Sequence, residues 1–197
     1  EIERDGKFFG YAVNGTPADC VKLAVKAIIN EKPDLVVSGI NLGPNTGINA
    51  IYSGTVSAAT EGTFMGISSF AVSLASFINK DFTYSQKIAA QITEKVLEKG
   101  LPQGTTLNIN IPPIPEKESK GIMVTRQGKG HFDEFFDKRV DPFKRTYYWL
   151  SGKKMILDNE NDVDDVAVNN NYVAITPLHY DLTDYNTLEK LKTWDLE

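Results

Sequence analysis

Between Pro33 and Gly62 the chain passes from an apolar run into a loop of glycine and asparagine, and from there into a helix start built of small residues. The segment Leu35 to Ser38 reads as a buried strand, and Gly39-Ile40-Asn41-Leu42-Gly43-Pro44-Asn45-Thr46-Gly47 as the loop that leaves it. Tyr52-Ser53-Gly54-Thr55-Val56 then opens a helix. Strand, glycine loop and helix start in that order describe the ligand end of an open α/β sheet. Free backbone N–H groups and the positive end of a helix dipole can hold a phosphate there.

The rest of the chain fits one soluble domain with an appendage. At 197 residues it is long enough to bury a proper core, and its 41% hydrophobic and 24% charged residues are ordinary for a globular protein. The net charge of −5 argues against a nucleic-acid surface but leaves room for a small anionic substrate at a locally positive site. The single cysteine, Cys20, excludes an internal disulfide and fits a reducing, cytoplasmic compartment. No apolar run approaches a membrane span. No signal peptide is visible, but the chain begins at Glu1 without a methionine, so its start reads as the interior of a longer protein.

Phe8 to Val13 alternates as a short strand, and Asn14-Gly15 signals a turn. Thr16-Pro17-Ala18-Asp19 is a helix start, with Thr16 as N-cap, Pro17 at the first helical position and Asp19 reaching back as a capping box. Cys20, Val21, Ala24, Val25, Ala27 and Ile28 follow at helical spacing. Helices over Thr55 to Met65 and Ser85 to Glu98 alternate with strands over Ser69 to Leu74, Thr106 to Ile111 and Ile122 to Thr125. Such alternation argues for a parallel sheet covered on both faces. Beyond Gly128 the character changes. Lys144 to Leu150 is an aromatic strand forming one arm of a protruding hairpin, and Asp158 to Asp165 reads as a solvated acidic loop running into a short helix. Tyr172 to Thr176 is a last strand and Leu188 to Trp194 a C-terminal helix. The organisation is a core over 1–127, an arm with a polar loop over 128–171, and a last strand with an oligomerisation segment over 172–197.

Asn41 lies just past the buried strand, where an amide oxygen can serve Mg²⁺ or Mn²⁺ beside carboxylates and water; the alternative is that it supports the turn. Asn45, Ser53, Gly54 and Thr55 can contact an oxyanion, or Ser53 or Thr55 can cap the helix. Gly39, Gly43 and Gly47 do not form G-x-G-x-x-G, and the Walker pattern is missing, which disfavours dinucleotide and P-loop readings. Cys20 reads as a core residue, His131 as a loop histidine, and His179 as structural or lining a cleft. No spacing of His and Cys suits zinc. The aromatic group Phe132, Phe135, Phe136, Tyr147, Tyr148 and Trp149 lacks a basic field and reads as an interface or core feature.

Four segments carry a resemblance: Asn14 to Cys20, Lys32 to Gly47 with its Ser38-Gly39-Ile40-Asn41-Leu42-Gly43 core, Ser53 to Gly62, and Thr176-Pro177-Leu178-His179-Tyr180-Asp181-Leu182-Thr183. Through them the chain resembles the SurE family of metal-dependent 5′-nucleotidases. The resemblance implies a Rossmann-like three-layer α/β/α sandwich with a protruding β-hairpin and a C-terminal segment exchanged between subunits, in a homodimer or homotetramer. It implies hydrolysis of nucleoside 5′-monophosphates with one divalent cation, Mg²⁺ or Mn²⁺, per subunit. Asn41 matches the metal-binding asparagine, and Asn45, Ser53, Gly54 and Thr55 match phosphate-contacting positions. Asp181 matches an aspartate near the exchange hinge, where some relatives carry a histidine four residues later and this chain has Tyr185. The family's paired aspartates and serine ligand have no counterpart in Glu1 to Val13, so the catalytic carboxylates are expected upstream of Glu1. The reading from a different class is a non-catalytic nucleotide-binding or assembly module that has lost those carboxylates.

Overall fold

The computed structural model describes residues 1–195. Its centre is a five-stranded mixed sheet in the order β3-β4-β5-β9-β6, made of β3 (Leu35–Leu42), β4 (Ser68–Leu74), β5 (Thr105–Ile111), β9 (Val173–His179) and β6 (Ile122–Val124). Strands β3, β4 and β5 run parallel, β9 runs antiparallel to β5, and β6 is parallel to β9. The sheet is therefore α/β and Rossmann-like, with two reversed strands, β9 and β6, where the alternation of elements suggested a wholly parallel set.

The period of two along each strand sorts the layers. Phe70 and Val72 of β4, Ile109 and Ile111 of β5, and Val173 and Ile175 of β9 share one face. There they pack against Ile88, Ile92 and Val96 of helix α3 (Thr83–Lys99), which recur at every fourth position. Ala71, on the opposite face, meets Val56 and Ala59 of α2 (Gly54–Phe64). Helix α1 (Pro17–Leu23) lies against α2, where Lys22 pairs with Glu61 at 3.5 Å. Helix α4 (Asp164–Asn169) buries Ala167 and Val168 against Ala174 of β9.

The face toward α2 is small and polar. Ser69 and Ser73 of β4 and Thr106, Asn108 and Asn110 of β5 are all buried on it. A buried polar face requires partners. Thr63 of α2 meets the Thr106 hydroxyl at 2.7 Å, and the loop after β3 satisfies the asparagines.

Several elements differ from the sequence reading. β3 is longer than its apolar run and forms a sheet edge, pairing only with β4 among the described residues, so Val37 stays 46% exposed. The N-terminal alternation forms a small separate hairpin of β1 (Ile2–Arg4) and β2 (Lys7–Gly10), ending before Val13. Helix α1 gives way to a π-helical turn over Ala24–Ile28, and neither piece buries a residue fully. Its apolar stripe rests mainly on α2, and Cys20 is half-buried rather than a core residue.

The N-cap of α1 is as the sequence indicates. The Asp19 N–H donates to Thr16 Oγ1 at 3.2 Å, and the Thr16 N–H donates to Asp19 Oδ2 at 2.9 Å. The Thr16 hydroxyl, donating to Asp19 Oδ2 at 2.7 Å, and the Thr16 N–H hold the carboxyl of Asp19 below the ordinary range. Thr16→Ala is expected to lower stability by about 1 kcal/mol, measured as a shift of the urea midpoint with an unchanged slope.

The arm is a hairpin of β7 (His131–Val140) and β8 (Thr146–Met155), paired in ten registers from His131↔Met155 to Val140↔Thr146. Asp141 closes its turn by accepting from the Phe143 and Arg145 N–H groups at 2.8 and 2.9 Å. Phe135, Phe136, Phe143, Tyr148 and Trp149 are exposed along it. The final helix, α5 (Tyr185–Leu191), is capped by Asp184 and buries none of its residues.

Candidate functional site

In a strand-helix-strand unit the helix returns antiparallel to its strands, so the start of α2 lies at the carboxyl edge of β3. Asn41, near the end of β3 opposite Ser73, the following loop and Ser53 to Thr55 therefore share one edge of the sheet. The loop is fixed by the polar face beneath it. The Gly43 N–H donates to Leu74 O at 2.9 Å. The Asn45 N–H donates to Asn110 Oδ1 at 2.8 Å, and Asn108 Nδ2 donates to Asn45 O at 2.7 Å. Asn45 Nδ2 donates to Ser73 Oγ at 2.8 Å. Asn41 Nδ2 bonds Gly43 O at 2.9 Å, so this asparagine does support its turn and directs its oxygen elsewhere.

A two-turn 3-10 helix, Gly47–Tyr52, carries the chain to α2. Ser53 caps α2, its Oγ accepting from the Val56 N–H at 3.2 Å, which is the capping role among the alternatives open in the sequence. Ser53 is buried, whereas Gly54 is exposed and Thr55 half-exposed. Among the described residues the N–H groups of Gly54 and Thr55 bond no acceptor. They are the free donors of the first helical turn, at the positive end of the helix dipole.

The second half of the loop is held by residues the sequence reading placed in a solvated acidic stretch. Asp158, Asp164 and Asp165 are buried instead. Asp164 Oδ2 accepts from the Gly47 N–H at 2.9 Å, and Oδ1 accepts from the Gly128 and Asp165 N–H groups at 3.0 and 2.8 Å. Burial raises the Asp164 carboxyl above the ordinary range, against the backbone bond from Gly47, and the neighbouring Asp165 adds to the rise. Asp165 Oδ1 accepts from the Thr46 hydroxyl and pairs with Lys154 of β8. Asp158 Oδ2 accepts from the Lys129 N–H at 2.6 Å. The carboxylates are buried because each receives donors the folded loops supply, a property that acidic composition alone does not reveal. Gln127 completes the frame, donating to Gly47 O at 2.7 Å. Asn108 and Asn110 did carry a signal: polar residues two apart in a strand occupy one face.

His179 lines a cavity of about 330 Å³, together with Val56, Thr60 and Phe64 of α2 and Tyr180 beyond β9. His131 lies at the base of the arm, half-buried, and is not part of the loop frame. Near the C-terminus the Thr183 hydroxyl, the Tyr185 hydroxyl and the Thr183 N–H bond Asp181 and bring its carboxyl down to about 2. Tyr185 thus partners Asp181 directly.

Among the described residues no group of three or more His, Cys, Asp or Glu side chains is placed to hold a metal ion. Asn41 offers one amide oxygen, and a divalent cation needs several hard donors, so these residues do not fit such an ion by themselves. No helix among them is long and apolar enough to cross a membrane.

A family model described as Survival protein SurE matches residues 1–134. The chain belongs to the SurE family. The 5′-nucleotidase SurE of Chlorobium chlorochromatii (strain CaD3) is 49% identical over 197 residues, all of this chain and 72% of that protein. The 5′-nucleotidase SurE of Pelotomaculum thermopropionicum (strain DSM 13744 / JCM 10971 / SI) is 50% identical over 189 residues, 95% of this chain and 71% of that protein. The crystal structure of the SurE protein from Aquifex aeolicus superimposes with a TM-score of 0.78 at 46% identity, covering 91% of this chain and 73% of that one. SurE membership agrees with the α/β sheet and places the free donors of α2 and the loop before it within the matched residues.

Proposed function

We propose that this chain is the phosphate-gripping part of a 5′-nucleotidase that hydrolyses nucleoside 5′-monophosphates to nucleoside and phosphate. The observation that carries the reading is the start of α2, where two N–H groups without acceptors stand at a helix terminus beside a loop fixed by Asn108, Asn110 and Asp164. The Gly54 and Thr55 N–H groups and the Thr55 hydroxyl hold phosphoryl oxygens, and Asn45, whose amide is tied to Ser73, lies in the loop beside the same group. Ser53 acts through the cap that shapes the helix start. Fixed donors of this kind stabilise charge that develops on oxygen without reorganising during the reaction.

Chemistry also needs a group to position water and relieve the phosphoryl charge. In this reading Asn41 is one donor to a divalent cation that would supply such charge, and among the described residues no group of His, Cys, Asp or Glu completes its ligand set. The exposed aromatic side chains of the β7–β8 arm and the unburied α5 support a homo-oligomer, since patches of that size are seldom left in water.

Phosphate release from a panel of nucleoside monophosphates, with Mg²⁺, with Mn²⁺ and with a chelator, tests the reading. Turnover of at least one nucleotide is expected when the chain is extended to the full length of its SurE relatives with the upstream carboxylates that the resemblance implies. There Thr55→Ala should lower kcat/KM about 10- to 100-fold by removing a hydroxyl from the phosphoryl group. Silence with every nucleotide and metal, with nucleotide binding retained, would favour the non-catalytic module instead.

A further inference from the structure

Lys154 connects the arm to the loop. It is the second residue from the base of the hairpin, opposite Phe132, and 108 positions from Thr46 in sequence. Its Nζ donates to Thr46 Oγ1 at 2.8 Å and pairs with Asp165 Oδ1. The Thr46 hydroxyl gives its own proton to the same carboxylate oxygen, so one ammonium, one hydroxyl and one carboxylate close a ring. The donor roles are consistent, because a hydroxyl can donate once while accepting from the lysine. Thr46 and Asp165 are both about 1% exposed, which removes water as a competitor for these bonds. The ring grips Thr46 between Asn45, whose N–H is held by Asn110, and Gly47, whose N–H is held by Asp164. The Ile48 N–H then bonds Gly130 O at 2.9 Å, beside the start of the arm.

The other oxygen of Asp165 is buried with no hydrogen-bond partner. Its charge is thus balanced mainly by one lysine, which makes the bonds of that lysine decisive for the geometry of the loop. Lys153, the next residue, is exposed and forms no such contact. Charge balance alone would be served by any nearby cation, but the direct bond to Thr46 fixes the loop itself.

We propose that Lys154 is a positioning residue of the phosphate site: from the arm it locks Thr46 against Asp165 and so holds Asn45 where the phosphoryl group binds. The inference rests on the nucleotidase reading for its catalytic consequence, and on the ring for its structural one. The experiment compares the same extended chain with its Lys154→Met, Thr46→Val and Lys153→Met variants. Amide hydrogen exchange, kcat, KM and the affinity for inorganic phosphate are measured for each. In Lys154→Met the amides of Gly47 and Ile48 are expected to exchange at least tenfold faster while those of β4 and β5 keep their rates. KM should rise at least fivefold and phosphate affinity fall in step, with Lys153→Met unchanged in every respect. Thr46→Val keeps the shape and removes the hydroxyl, so it decides the matter if Lys154→Met does not fold. Exchange at Gly47 and Ile48 within twofold of the wild type, or a rise shared equally by β4 and β5, would overturn the proposal. So would an unchanged KM in a variant whose wild type turns over. A wild type silent on every nucleotide sinks the nucleotidase reading instead, and the exchange rates then still decide whether Lys154 locks the loop.

Discussion

Asp164→Ala is expected to lower stability by about 3 kcal/mol and to release the loop from its frame. The carboxylate accepts the N–H groups of Gly47, Gly128 and Asp165, and the side chain is fully buried. Removing it leaves at least two interior donors without acceptors, each costing about 1–3 kcal/mol. Relief of the desolvated charge offsets part of this, which keeps the expected loss near the lower end of the sum. Asp164→Asn should not rescue it fully, because an amide brings one acceptor and places two donors where N–H groups already point. The pH dependence has a definite sign. Burial raises the folded-state pKa above the ordinary value of 3.8, so protonation favours the fold and the contribution of this group falls as pH rises from about 3.8 through the raised value. Urea denaturation of wild type and Asp164→Ala across that window checks both points. The difference between them should grow toward acid pH, where the wild type is free of the charge penalty.

What could be read in the sequence followed from local rules. The capping box of α1 is written in Thr16-Pro17 and Asp19, and α3 in the four-residue recurrence of Ile88, Ile92 and Val96. The hairpin was legible from one aromatic strand between turn signals, and the edge that carries Asn41, Asn45 and Ser53 to Thr55 from strand, loop and helix in order. The partners of that edge were not legible. Asp164, Asp165 and Lys154 reach the loop from more than 100 residues away, and only tertiary structure turns an acidic run into buried acceptors. Burial of β3 was misread for a related reason: Val36 and Val37 state that the strand is apolar, whereas exposure depends on which neighbours pair with it.

Gly47→Ala is expected to impair the candidate site most. Gly47 has φ +60°, which an L-residue adopts at a cost of roughly 1–2 kcal/mol. A Cβ there would also press on the carbonyl oxygen of Gly130 and come within 3.0 Å of Asp165 Oδ2. Neither neighbour is free to withdraw. Gly130 O accepts from the Ile48 N–H, and Asp165 is fixed by Thr46 and Lys154. The loop must therefore shift, weakening the Gly47 N–H bond to Asp164 and moving Asn45 relative to the start of α2. A displacement of about 1 Å at a positioning element can cost about 100-fold in rate, which is the fall in kcat/KM expected here. Gly100→Ala separates the two contributions. Gly100 has φ +70°, but a Cβ there meets nothing within 4 Å, so it carries the backbone strain without the close approach. It should lose about 1–3 kcal/mol of stability and keep its kcat/KM. If both variants lose activity alike, the close packing of Gly47 against Gly130 and Asp165 is not what holds the site. If only Gly47→Ala loses it, the frame around Thr46 is what presents the loop to phosphate.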